Sequence, residues 1–68
     1  MNLIRFTFAN IFDFKSVMDE INLYGSSCFH SSNSDKLTIV FIYITYASSY
    51  IEFVNSICTP TNIEDLHG

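Results

Sequence analysis

Four side chains in this sequence are candidates for soft nucleophile, base or metal-ligand chemistry: Cys28, His30, Cys58 and His67. Structural zinc takes four such ligands. However, Cys28-x-His30 is not a zinc-knuckle spacing, and Cys58 falls at the end of a predicted helix. On an extended strand, Cys28 and His30 point to one side, so a thiol–imidazole pair is within reach. Nothing nearby supplies an oxyanion hole or a third group to orient the base. A Cys28–Cys58 disulfide would require an oxidising compartment. The N-terminal residues do not read as a signal peptide, because Asp13 and Lys15 break the apolar run and no small-residue cleavage site follows. The expectation is a cytoplasmic chain with two ordinary thiols and two polar histidines.

The two glycines, Gly25 and Gly68, cannot build a phosphate cradle of backbone amides, and no GxSxG or DxDxDG motif occurs. No enzyme, cofactor or metal site is therefore expected. What remains is acidity. Asp and Glu number 7 against 3 Lys and Arg, for a formal net charge of -4. Three cations cannot neutralise many phosphates, so direct nucleic-acid binding is not expected. Asp13, Asp19 and Glu20 fall on a first predicted helix and Glu52 on a second. Asp19 and Glu20 point about 100° apart on a helix, which disfavours a paired metal site. These four carboxylates are the candidate partner-binding residues. A negative surface of this kind steers encounter with a basic partner; its plainer use is solubility.

The elements that must carry these residues are readable from periodicity. Residues 2–8 alternate, with Ile4, Phe6 and Phe8 on one side, and read as a strand. Phe14, Val17, Met18, Ile21 and Tyr24 form the stripe of a helix over 13–24. Asp13 is its expected N-cap, with a Phe12–Val17 staple; Asn10 is the alternative cap, and Gly25 the exit. Residues 26–32 read as a weak edge strand, with Asn33, Ser34 and Asp35 as the turn. Residues 37–46 are β-branched and aromatic on both faces, which predicts a central strand covered on both sides. Ser49-Tyr50-Ile51-Glu52 matches a capping box, so a second helix starts near Ser49 and stops at Thr59-Pro60. Residues 60–68 are either a frayed tail or a short last strand.

This order predicts one α+β domain over residues 1–68. Its pattern is ferredoxin-like, βαββα(β), with two helices on one face of a three- or four-stranded sheet. The alternative, a membrane span over Leu37 to Cys58 with Glu52 as its lone charge, is disfavoured by the hydroxyls and the helix-start signal within it. In the ferredoxin-like arrangement one sheet face stays bare, and an absent or short tail strand would leave the edge of residues 2–8 open. Both features favour association, as a homodimer or with a larger basic protein or nucleoprotein complex.

In size, acidity and absence of catalytic motifs, the whole chain resembles small phage-encoded inhibitors of host defence, such as anti-CRISPR proteins and DNA mimics. The resemblance implies a viral protein that inhibits by docking, not by turnover. A net charge of -4 favours direct docking over DNA mimicry. The expected function is a small acidic, non-enzymatic protein-binding module, an inhibitor or regulator. The alternative is a dimeric small-ligand-binding regulatory domain of ferredoxin-like fold.

Overall fold

In the computed structural model, which describes residues 2–25, 28–44 and 47–67, the alternation of the first segment becomes strand β1, Asn2–Thr7. Ile4 and Phe6 are buried on one face, and Phe8 continues that face just past the strand. Helix α1, Ile11–Tyr24, starts two residues before the predicted 13 and buries Phe14, Val17 and Ile21 of the predicted stripe; Met18 is half-buried, and Tyr24, in the last turn, is 75% exposed. Strands β2, Phe29–Asn33, and β3, Thr38–Tyr43, follow. Helix α2, Ser48–Asn55, leads into β4, Asn62–His67.

The order across the single sheet is β2-β3-β1-β4, and every neighbouring pair is antiparallel. Each helical connection therefore passes over a strand that lies between the two it joins. This is the ferredoxin-like arrangement, β-α-β-β-α-β. Register fixes which residues share a face. Ile4 pairs with Phe41 and Phe6 with Ile39, so these four side chains point together. Phe14, Val17 and Ile21 of α1 and Val54 of α2 join them in one core cluster. Both helices thus cover the same face. Phe41 is the hub: it meets Phe6 edge-on at 5.7 Å, stacks on Tyr50 at 5.4 Å and meets Phe53 edge-on at 6.5 Å.

Several local expectations give way to the geometry. The N-cap of α1 is Asn10, not Asp13. Asn10 has the extended backbone a cap requires, and its Oδ1 accepts the Asp13 N–H at 2.9 Å. Asp13 is already inside the first turn, where its charge suits the helix dipole. Phe12 is 78% exposed, so no staple forms with Val17. The capping box at Ser49 does not form either. Ala47 precedes the helix with helical φ and ψ, and its carbonyl accepts the N–H of both Tyr50 and Ile51. Ser49 lies within the first turn and lacks the extended conformation of a cap. Helix α2 ends at Asn55, before Thr59-Pro60, where the Ser56 hydroxyl donates to the Phe53 carbonyl at 2.6 Å.

The β3 segment is central but covered on one side only. Ile39, Phe41 and Tyr43 are buried, while Thr38, Val40 and Ile42 are half-buried on the helix-free face. A second helical layer would be needed to cover them, and none occurs among the described residues. Leu37 enters β3 with φ 55, a left-handed conformation that closes the turn. In that turn Asn33 Oδ1 accepts the N–H groups of Asp35 and Lys36. The weak strand, predicted over 26–32, is Phe29–Asn33, with Cys28 outside it and Asn33 taken in from the predicted turn. Ser26 and Ser27 lie outside the described residues, as do Thr45 and Tyr46 of the predicted 37–46 strand. The tail forms a full edge strand, so β1 is an interior strand and its edge is not open. No described helix is long and apolar enough to cross a membrane, and Leu37 to Cys58 is not one helix.

The capping assignment is testable by urea denaturation. Asn10→Ala is expected to cost about 1 kcal/mol, whereas Ser49→Ala should stay within about 0.5 kcal/mol. Phe41→Ala, at the hub, is expected to cost about 3–5 kcal/mol, enough to leave so small a domain largely unfolded.

Candidate functional site

The four carboxylates singled out from the sequence are not gathered into one patch. Asp13 sits in the first turn of α1, half-buried. Burial, and then the charge of Asp13, push the Cys58 thiol above its ordinary pKa. Asp13 is thus close enough to the exit of α2 for its charge to be felt at Cys58. Glu20 lies about two helical turns further along, roughly 10 Å by the rise per residue, and lines a cleft toward the C-terminal end of α1. Asp19 and Glu52 are exposed. Among the described residues, no hydrogen bond or ion pair joins any two of the four.

Two other acids do structural work that the tail reading leaves out. Glu64 of β4 is the cross-strand partner of Arg5 and pairs with it at 2.7 Å. Asn62 Nδ2 donates to the same carboxylate at 2.9 Å. Asp65 reaches across the end of β1 to accept the Tyr43 hydroxyl at 2.6 Å. That hydrogen bond, followed by burial and the Asp65 charge, raises the Tyr43 pKa above 10.0. The signal for both was the alternation Asn62-Ile63-Glu64-Asp65-Leu66, which sends Glu64 and Asp65 to opposite faces once it is read as a strand.

The helix-free face follows from the same register. Leu66, Leu3 and Ile42 form one rank across β4, β1 and β3. Glu64, Arg5, Val40 and Ser31 form the next, and Asn62, Thr7, Thr38 and Asn33 the third. The face therefore grades from apolar at one end, through the ion pair, to polar at the other. Leu3, Val40, Ile42 and Leu66 are all half-buried, with no helix among the described residues packed on that face.

On the opposite side, the helices diverge to leave a cleft of about 260 Å³ between the last turn of α1 and the first turn of α2. Phe41, Tyr50 and Phe53 supply aromatic walls, Tyr24 and Glu20 stand on the α1 side, and Ser49 on the α2 side. The Tyr50 hydroxyl is hydrogen-bonded with the Cys28 side chain. That bond, then burial and the thiol's charge, hold its pKa above 10.0. Gly25, at φ 73, lets α1 turn away without a Cβ penalty.

The nucleophile pair suggested by Cys28-x-His30 is not assembled. Cys28 is engaged with Tyr50, and His30 Nδ1 lies 3.0 Å from Ser31 Oγ, at an irregularity in the β2–β3 register. Among the described residues, no three His, Cys, Asp or Glu side chains converge as a metal site. No protein-family model matches the chain, and no curated protein or solved structure matches it either.

Tyr43 and Tyr50 give this site a pH signature. Both hold their protons more tightly in the folded chain, so their contribution is fully present below the unfolded value of 10.0 and is lost as pH rises through the higher folded values. Urea midpoints are expected to fall as pH passes 10.0. Tyr43→Phe should flatten that fall in part, with Tyr50 and the raised Cys58 thiol both contributing to the rest. Cys58 should alkylate more slowly than a free thiol at the same pH. Asp13→Asn should speed it only slightly, because burial is the larger cause.

Proposed function

We propose that this chain is a small, non-enzymatic protein-binding module: an inhibitor or regulator that docks on a larger basic protein or nucleoprotein complex. The helix-free sheet face carries this reading. It presents Leu3, Val40, Ile42 and Leu66 together, around an ion pair that fixes orientation, and a contiguous apolar patch of this kind marks an interaction surface. The charge balance supports a basic partner. With Arg5 and Glu64 cancelling, Lys15 and Lys36 stand against Asp13, Asp19, Glu20, Asp35, Glu52 and Asp65. We read the exposed acids Asp19 and Glu52, with Glu20, as steering charges around the docking event, not as its energetic centre.

The resemblance to phage-encoded inhibitors of host defence, anti-CRISPR proteins among them, extends this reading to a viral protein acting in the cytoplasm. Its target would be a host protein that handles nucleic acid and is therefore basic. Without that target, the same face would pair with a second copy of the chain, giving a homodimer.

Two variants separate the roles of the sheet and the acids. Val40→Glu together with Ile42→Lys breaks the apolar ranks without touching the core. Sedimentation velocity over a concentration series is expected to show wild type associating and this variant monomeric. Asp19→Lys with Glu20→Lys should leave self-association intact. Against the basic partner, the same reversal should slow the on-rate roughly tenfold and flatten its salt dependence. Wild type that stays monomeric at every concentration and forms no stoichiometric complex with any basic protein would refute the proposal.

A further inference from the structure

The inter-helix cleft lies on the side of the sheet opposite the docking face, and its chemistry is independent of docking by that face. At about 260 Å³ it falls just below the roughly 300–1,000 Å³ of drug-sized sites, so it suits one functional group on a short stem. Its lining carries one full charge, the half-buried Glu20 carboxylate. The chain's 3 cations all lie elsewhere. Arg5 is paired with Glu64 on the far face, Lys15 stands more than a turn before Glu20 on α1, and Lys36 lies in the β2–β3 turn. Among the described residues, no hydrogen bond or ion pair engages the Glu20 side chain.

The acceptors extend beyond Glu20. Helix α1 ends at the cleft with no basic residue in its last turn, so its carbonyl end carries about -0.5 of a charge that no side chain offsets. Across the cleft, Ser49 offers a hydroxyl. The opposing end of α2 is partly quenched, because the N–H groups of Tyr50 and Ile51 already donate to the Ala47 carbonyl. The net sign is therefore negative, and an anion is disfavoured. An apolar or fully alkylated group would strip water from these acceptors and return no hydrogen bond. The ligand that satisfies them is a cation with N–H donors.

Among such cations, the lining separates guanidinium from ammonium. Acceptors stand on both helices, Glu20 and the α1 carbonyls on one side and Ser49 on the other, with aromatic rings between them. A guanidinium directs five N–H donors outward in one plane and leaves two flat, weakly hydrated faces. It reaches acceptors on opposite sides, a carboxylate by a bidentate pair, while one face lies on a ring. Phe41 is fully buried and stacked on Tyr50, so its face is taken. Tyr24, 75% exposed, is the lining ring with a face left uncovered. A primary ammonium gathers its three donors about a strongly hydrated point charge, and a ring-walled cleft returns less of that hydration. We infer that the cleft between α1 and α2 binds a guanidinium group, with Glu20 as its carboxylate partner, Ser49 and the carbonyl end of α1 as further acceptors, and Tyr24 stacked on its plane. An arginine side chain and a small free guanidine share this chemistry.

Proton NMR titration of the full chain tests this, with methylguanidinium as the free guanidine and N-acetylarginine methylamide as the side chain in peptide form. The matching citrulline derivative is the uncharged isostere, and the lysine derivative supplies the ammonium. Saturable millimolar binding of both guanidinium probes is expected, with shifts in the ring resonances of Tyr24 and Tyr50. The citrulline derivative should leave those resonances in place, and the lysine derivative should bind at least about threefold more weakly than the arginine one. Capped arginine binding more tightly than methylguanidinium assigns the cleft to an arginine side chain; the reverse order assigns it to a free guanidine. Glu20→Gln should weaken the arginine probe at least about fivefold, and Asp19→Asn less than about twofold. Tyr24→Leu removes an exposed ring without disturbing the core; it should weaken the arginine probe about threefold and close most of its gap to lysine. Equal binding of the citrulline derivative, equal or tighter binding of the lysine derivative, or equal loss in Asp19→Asn and Glu20→Gln would overturn the assignment. So would ring resonances that move with neither guanidinium probe.

Discussion

The antiparallel register of β1 against β3 is the constraint from which the rest of the structure follows. Pairing Ile4 with Phe41 and Phe6 with Ile39 sets five large side chains, Tyr43 included, on one face of the sheet. A slip of one residue would send them to the other face and bring Arg5 into the core. With the register fixed, both helices must lie over that one face. Phe41 sits at their meeting point, in contact with Phe6 below and Tyr50 and Phe53 above. A chain of 68 residues has a single core to work with, so this one layer of contacts carries the fold.

Covering one face leaves the other bare. The same alternation that buries Ile39 and Phe41 presents Val40 and Ile42 on the far side, where Leu3 and Leu66 join them. The Arg5–Glu64 pair in the middle of that face is more than a third exposed on both partners, so it contributes at most about 1 kcal/mol. Its larger consequence is directional, since it separates the apolar end of the face from the polar one. On the covered side, α2 with 8 residues is much shorter than α1 with 14; Phe41 itself is fully buried, and the gap between the helices opens beside Tyr24, Tyr50 and Phe53. The cleft walled by aromatic rings is the result. Both candidate binding surfaces are thus by-products of how little secondary structure the chain has to spend on its core.

The elements were legible because their signals are local. Period-two alternation gave β1, the stripe from Phe14 to Tyr24 gave α1, and the β-branched run after Leu37 gave β3. Helix termini were harder. Asn10 and Asp13 are both good cap residues, and only the backbone shows that Asn10 is the extended one. Ser49 has the right neighbour in Glu52, but Ala47 starts the helix two residues earlier through its carbonyl alone. The tail was ambiguous because Ile63 and Leu66 give weak alternation. Its partner, the edge of β1, lies more than fifty residues upstream in the sequence.

The sequence by itself determined the composition of the layers: which residues are apolar, with what period, and that the acids outnumber the bases. It also determined that two helices and a strand rich in both faces must share one small core, because burial of those side chains is the main favourable term available. Only the tertiary structure decided which carboxylates act together. Asp13, Asp19, Glu20 and Glu52 look equivalent along the chain, yet packing sends Asp13 to Cys58, Glu20 to the aromatic cleft, and Asp19 and Glu52 to solvent. Strand pairing likewise turned two tail acids into the partners of Arg5 and Tyr43. Charge and hydrogen bonding act over a few ångströms in space, and separation along the chain carries no information about that distance until the register is set.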